Sequence, residues 1–234
     1  MDKSPGIIGK RATVPKPRRR LKADDRKRQI VEVTLETIAE YGIQGTTIMR
    51  IAQGVGIAHS ALYAHFQNRR EILLAALDAV FEKIYNIHGV ARSEDALEWL
   101  REIMRHHTTY LTTMEQPGYA LPLFEFIAAS SEEGLHDALR DHEVEASRRL
   151  VAIIDEAKRQ GTINQSIDSE EAAWMLVGCA WAEESAHLMS IEFFRERALA
   201  SRMTETIFEQ LTAPAVDVVG LERQGQGVTH GATF

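Results

Sequence analysis

Only one cysteine, Cys179, occurs in 234 residues, so no disulfide can close within the chain and no cysteine-rich zinc module can be built. A lone thiol fits a reducing cytosol, and a cytoplasmic protein is expected. Long apolar runs are missing as well. The longest, Ala172 to Ala182, is too short to span a bilayer and is fenced by Glu170, Glu171, Glu183 and Glu184. The N-terminus is basic but has no apolar stretch of the secretory kind, so no membrane partner is expected. No segment alternates polar and apolar residues between hairpin turns, which points away from a sheet. Catalytic signatures are absent: no nucleophile elbow, no phosphate loop, no HExxH. Adjacent helical residues such as His106 and His107 point about 100° apart, and His136 and His142 diverge too. Neither a metal nor a cofactor is expected, and the chain does not read as an enzyme.

What is present is helix, and one stretch has a full grammar. In TTIMRIAQGVGIAHSALYAHF, Thr46 to Phe66, Ile51 and Val55 share a face of a first helix, with the small Ala52 at the expected crossing. Gly56 stands where a tight turn needs a positive φ. Ile57 plugs the core beneath the turn, and Leu62 holds down a second helix, about Ala58 to Ala64. This is the pattern of a helix-turn-helix that offers its second helix to a DNA major groove.

Charge supports a polyanion at this end of the chain. The whole chain carries a net −7, yet residues 1–71 hold 14 Lys and Arg against 7 Asp and Glu, and the remainder holds 13 against 27. Such asymmetry suits a DNA-binding end joined to an acidic domain with a different task. Residues 1–23 contain Pro5, Pro15, Pro17 and the run Arg18-Arg19-Arg20, and read as a disordered basic arm that lies along phosphates or enters a minor groove.

Further helices follow by periodicity and caps. Asp24 or Asp25 starts one that runs to Tyr41 and stops at Gly42, and Thr46 or Thr47 caps the next. Asn68 precedes a long one from Arg69 to about Val90, ended by Gly89. Ser93 caps another to about Met114, and Leu121 to Ala129 is short and apolar. Gly134 to Gln160 is long and charged, Ser169 starts a helix through Met189, and Glu192 to Leu211 is the last. The expected fold is all-α: a helix-turn-helix domain of three helices at residues 24–70, a second helical domain at 71–213, and a flexible tail at 214–234.

Residues 26–77 resemble the N-terminal domain of the tetracycline-repressor (TetR) family. The likeness rests on Tyr41-Gly42, Thr46-Thr47, Ile51-Ala52, Gly56-Ile57 and above all Leu62-Tyr63-x-His65-Phe66-x-Asn68-Arg69. It implies a ligand-responsive regulator that binds DNA as a dimer, usually a repressor. It further implies phosphate contacts from Thr47, Tyr63 and Arg69, base edges facing His59, Ser60 and Ala61, and His65 near the backbone. The chain departs from the family at Arg50, where an acidic residue is usual, and at Arg69, where lysine is usual. Both departures add or keep phosphate affinity. Ala58 stands where a capping serine is common, which costs the reading helix a cap of roughly 1 kcal/mol.

Beyond the resemblance, the partners expected are a double-stranded DNA operator, a second copy of the chain and a small apolar effector. Trp174 and Trp181 share a face that suits core or subunit packing or else ligand stacking, and the small residues Gly178, Ala182 and Ser185 occupy one face of the same helix and permit close approach at a dimer seam. Trp99, Met104, His107, Phe124 and Phe126 either line an effector cavity or fill a solid core. The favoured function is a repressor released from a palindromic operator by its effector. A helical enzyme or sensor tethered to DNA, and an activator, are the alternatives.

Overall fold

Helix α1, Ala23–Gly45, carries a bend inside it: Gly42 sits at φ 68° and ψ 171°, a conformation outside the helical basin and costly for residues with a Cβ. The computed structural model describes residues 23–87, 92–113, 119–129 and 134–214. The basic arm, with Arg18, Arg19 and Arg20, and the stop expected at Gly89 lie outside the described residues, as does the tail from 215 onward. Nine helices follow α1 among the described residues. They are α2 Ile48–Val55, α3 His59–Leu62, α4 Arg69–Ile87, α5 Ala96–Thr113, α6 Ala120–Ala128, α7 Leu135–Arg159, α8 Ser169–Leu188, α9 Glu192–Glu196 and α10 Leu199–Thr212. The fold is all-α, with the helix-turn-helix at the N-terminal end and a helical bundle after it. No described helix is long and apolar enough to cross a membrane.

Three apolar clusters hold these helices. Ile30 of α1, Ile51 and Val55 of α2, Leu62 of α3, Phe66 and Ile72 form the first, under the helix-turn-helix. Gly54 gives α2 its close approach to α1, because a Cβ there would lie 2.5 Å from Val33 Cγ1. This steric role falls two residues beyond the expected crossing at Ala52, which is itself buried. The second cluster joins α1 and α4 to the bundle, through Leu35, Ile38, Leu77, Phe81, Tyr119, Leu123, Phe126 and Leu139 among others. The third lies between α5, α7, α8 and α10, with Leu100, Ile154, Leu176 and Phe208 fully buried. Because α1 and α4 contribute to both of the first two clusters, the helix-turn-helix and the bundle share apolar packing.

Caps differ from expectation in instructive ways. Thr47, rather than Thr46, accepts from the Arg50 amide at 3.3 Å, while the buried Thr46 hydroxyl donates back to Gly42 O at 2.8 Å. Asp95 caps α5 by accepting from Leu97 and Glu98, two residues later than Ser93, whose hydroxyl accepts from Asp95 N. Asp168 caps α8 by accepting from Glu170 and Glu171, and the Ser169 hydroxyl donates to Asp155 instead. A carboxylate beside a hydroxyl wins the cap because it takes two amides at once and also meets the positive end of the helix dipole. The last helix is two. Ala198 takes φ 47° between α9 and α10, and no Gly or Pro advertises the break. The redirected α10 then buries Ile207, Phe208 and Leu211 in the third cluster, whereas α9 buries nothing.

Gly42→Ala tests the bend. A Cβ at this φ would also stand 2.9 Å from Glu125 Oε2. The expected loss is about 1–3 kcal/mol, or about 2–4 °C in Tm for each kcal/mol in a chain of this size. An unchanged Tm by calorimetry would mean that α1 can run straight through Gly42.

Candidate DNA-reading face and effector cavity

The turn between α2 and α3 is closed by backbone alone. Gly56, at φ 72°, donates to Gln53 O at 3.1 Å, and Ile57 N reaches Ala52 O at 3.0 Å. This is the Schellman closure that glycine favours. After it, α3 has only four residues, shorter than the expected Ala58–Ala64. Ala58 stands at ψ 143° with no side-chain cap, and after Leu62 the chain continues in hydrogen-bonded turns, His65 N and Phe66 N both reaching Leu62 O. Leu62 and Phe66 point inward, whereas Ala58, His59, Ser60, Ala61 and Tyr63 are all exposed and His65 is half-buried.

The cationic residues expected near phosphates are tied to the fold. Arg69 donates from Nε to Thr46 O at 2.8 Å and from its guanidinium to Ile43 O at 2.5 Å, so it grips the loop that leads into α2. Arg50 donates to Gly45 O at 2.6 Å and lies over the Tyr41 ring, 4.4 Å from its centroid. Both therefore shape the entry to α2, a task that charge patterning alone does not reveal. Thr47 is exposed, and its hydroxyl keeps a proton to donate while it accepts from Arg50 N.

A cavity of about 960 Å³ opens within the bundle. It runs along α7 from Glu143 to Gln160, between α5 and α8, with Phe81 and Tyr85 of α4 and Leu123 of α6 at one end. Trp99, Met104 and His107 line it. Phe126 does not: it is fully buried in the cluster joining α1, α4, α6 and α7, because α6 turns that face toward α1. Phe124 is half-buried and also off the wall. Trp181 lines the cavity, and 38% of it remains exposed. On the outward face of α8, Trp174 and Gly178 are exposed, and Ala182 and Ser185 are half-buried.

Sequence reading missed the acidic end of this cavity. Glu184 is 3% exposed, accepts from the Tyr119 hydroxyl at 3.0 Å on Oε1, and lies 3.9 Å from His107 Nε2. Its Oε2 is buried without a hydrogen-bond partner among the described residues, as is Trp99 Nε1. Burial pushes the Glu184 carboxyl up to about 8, with Glu143 and Glu183 nearby adding to the effect and the Tyr119 hydrogen bond opposing it. Burial likewise lifts Glu143 to about 7, and Glu183, which accepts from Thr108 at 3.0 Å, to about 7. The signal was legible: a Glu-Glu pair inside an apolar helix is as much an internal site as an end to the run.

These carboxyls set a pH dependence. Each binds its proton more tightly folded than unfolded, so each favours folding below the ordinary carboxylate value of 4.5, and that contribution is lost as pH rises through about 7 to 8. Calorimetry from about pH 5 to about pH 9 is expected to give a falling Tm, with a flatter profile for Glu184→Gln. Superimposable profiles would mean that Glu184 titrates alike in both states.

Residues 30–76 match the family model described as "Bacterial regulatory proteins, tetR family". The chain is 28% identical over 141 residues to the HTH-type transcriptional regulator PksA of Bacillus subtilis, a match covering 57% of this chain and 66% of that protein. It spans about a third of several other curated relatives. Among solved structures, a putative TetR-family transcriptional regulator from Rhodococcus superposes with a TM-score of 0.67 at 21% identity, over 81% of this chain and all of that one. The transcriptional regulator FadR from Bacillus subtilis, solved in complex with stearoyl-CoA, superposes with a TM-score of 0.60 at 19% identity, over 80% and 97%. Residues 30–76 thus carry the helix-turn-helix domain of the tetR family of bacterial regulatory proteins, and the chain shares the all-α fold of the solved regulators it superposes on.

Proposed function

We propose that this protein is a transcriptional repressor that binds a palindromic operator as a homodimer and leaves it when a small, mostly apolar effector enters the bundle cavity. The observation that carries this reading is helix α6, which touches both ends of the task. Tyr119, just before α6, holds Glu184 at the cavity. Leu123 is part of the cavity wall. Glu125 accepts from Ile43 N at 3.2 Å, at the bend of α1 beside the loop into α2. An effector that displaces Leu123 or Tyr119 moves Glu125, and with it the support of the reading helix. The shift can be no larger than the difference in effector affinity between the two arrangements.

In this reading residues 24–70 form the DNA-binding domain and residues 71–213 the effector and dimer domain. His59, Ser60 and Ala61 face base edges. Thr47 and Tyr63 bind phosphates, Arg50 and Arg69 add positive charge beside them, and the arm with Arg18, Arg19 and Arg20 adds further phosphate contacts. The exposed apolar face of α8, with Trp174 and Trp181 about the small Gly178, supports a seam there, since a lone surface helix would carry polar residues on that side.

Binding-site selection is expected to return a two-fold pseudo-palindrome with half-sites about one helical turn apart. His59→Ala should relax base preference, and Tyr63→Phe should weaken all sequences alike. A selected site without two-fold symmetry would contradict the dimer, and an unchanged motif for His59→Ala would remove its reading role. Gly178→Arg probes the seam cleanly, because nothing lies within 4 Å of a Cβ at that position and the protomer should fold normally. Sedimentation is expected to give monomers, with operator affinity lost in fluorescence anisotropy; an intact dimer places the seam elsewhere.

A further inference from the structure

We propose that the cavity takes a lipophilic amine, its apolar body between α5, α7 and α8 and its ammonium against the Glu184 and Glu143 carboxyls. The proposal rests on the effector reading above and deepens it by naming the chemical class. Three observations lead to it. First, the wall is largely apolar and aromatic, with Phe81, Tyr85, Trp99 and Trp181 around a volume that suits a drug-sized molecule.

Second, the wall holds a sheltered carboxyl with an oxygen that has no partner among the described residues. Glu184 Oε2 is buried and unpartnered, and a buried acceptor left unpaired is costly. An ammonium, which brings only donors, satisfies it.

Third, the arginines on the wall already have partners, and none of these contacts is to Glu184. Arg149 lies 3.9 Å from the Tyr85 ring centroid and pairs with Glu145, Arg159 pairs with Glu156, and Arg92 lies over Trp99. The charged groups acting on Glu184 are Glu143 and Glu183, so its surroundings are acidic rather than basic. A carboxylate or phosphate set against Glu184 would face these groups with like charge.

The proton balance is explicit. The amine enters from water as its ammonium, Glu184 gives its carboxyl proton to solvent, and an ammonium–carboxylate pair forms. Tyr119 goes on donating to Oε1 throughout. His107, facing Glu184 from α5, opposes the cation when protonated and so acts in the same direction. Amine affinity therefore rises with pH until Glu184 has lost its proton, near 8.

The test uses the full chain and three probes of one length: dodecylamine, dodecan-1-ol and dodecanoic acid, each below its aggregation concentration. Binding is read from tryptophan fluorescence and by calorimetry in buffers of different ionisation enthalpy. The expected result is dodecylamine bound about ten-fold or more tighter than the alcohol, or about 1.4 kcal/mol. About one proton should be released, and amine affinity should climb from about pH 6 to about pH 8. Glu184→Gln should erase most of the amine's advantage while leaving alcohol binding in place, and Glu143→Gln should erase part of it. Alcohol or acid binding as tightly as the amine, or an amine advantage undiminished in Glu184→Gln, overturns the proposal. Operator release is followed separately by anisotropy. An amine that binds with the stated pH dependence but leaves the operator complex intact supports the ligand class and counts against the effector reading; tight alcohol binding with operator release does the reverse.

Discussion

The bent end of α1 is the point on which the rest of the molecule depends. Beyond Gly42 the backbone leaves the helical path, and its polar groups need partners from elsewhere in the fold. Glu125 supplies one by accepting from Ile43 N, and Arg69 supplies others by donating to Ile43 O and Thr46 O. One partner belongs to the short bundle helix α6 and the other to the start of α4. The loop that launches α2 is thus held by two helices that also belong to the bundle. Where α2 goes, Gly56 and α3 follow, because the turn between them is closed by backbone bonds with little slack.

Helix α8 answers to three neighbours at once, and its composition follows from that. Ala172, Ala173 and Leu176 pack into the bundle core, Ala180 and Glu184 face the cavity, and Trp174 and Gly178 look outward. A helix with three apolar or small-residue faces has no polar side to offer periodicity, and read as sequence it is simply hydrophobic. Its acidic pair then looks like a boundary. In three dimensions Glu183 and Glu184 lie inside, each with a hydroxyl donor from elsewhere in the bundle, Thr108 of α5 or Tyr119 just before α6.

Legibility divided along the same physical line. Features governed by neighbours in the chain were readable: the Gly56 turn, the inward Leu62 and Phe66, the outward His59 and Tyr63, and helices in nearly all the expected places. Features decided by contacts far along the chain were not. The grip of Arg69 on its loop carbonyls spans 23 and 26 residues and has no local signal. Phe126 and Trp99 look alike as aromatic residues, yet one fills the core under α1 and the other lines the cavity. The break at Ala198 has no sequence signal, since a left-handed alanine is imposed by where α10 must pack.

Cys179 lies between these faces of α8, 5% exposed and beside Thr204 of α10, with its thiol pushed up by burial. It is the only sulfhydryl in the chain. A reagent in solution can reach it only when α8 and α10 part, and then only as the thiolate forms. Thiol-labelling kinetics would therefore time the breathing of one helix pair, without the insertion of a foreign probe and without interference from any second site.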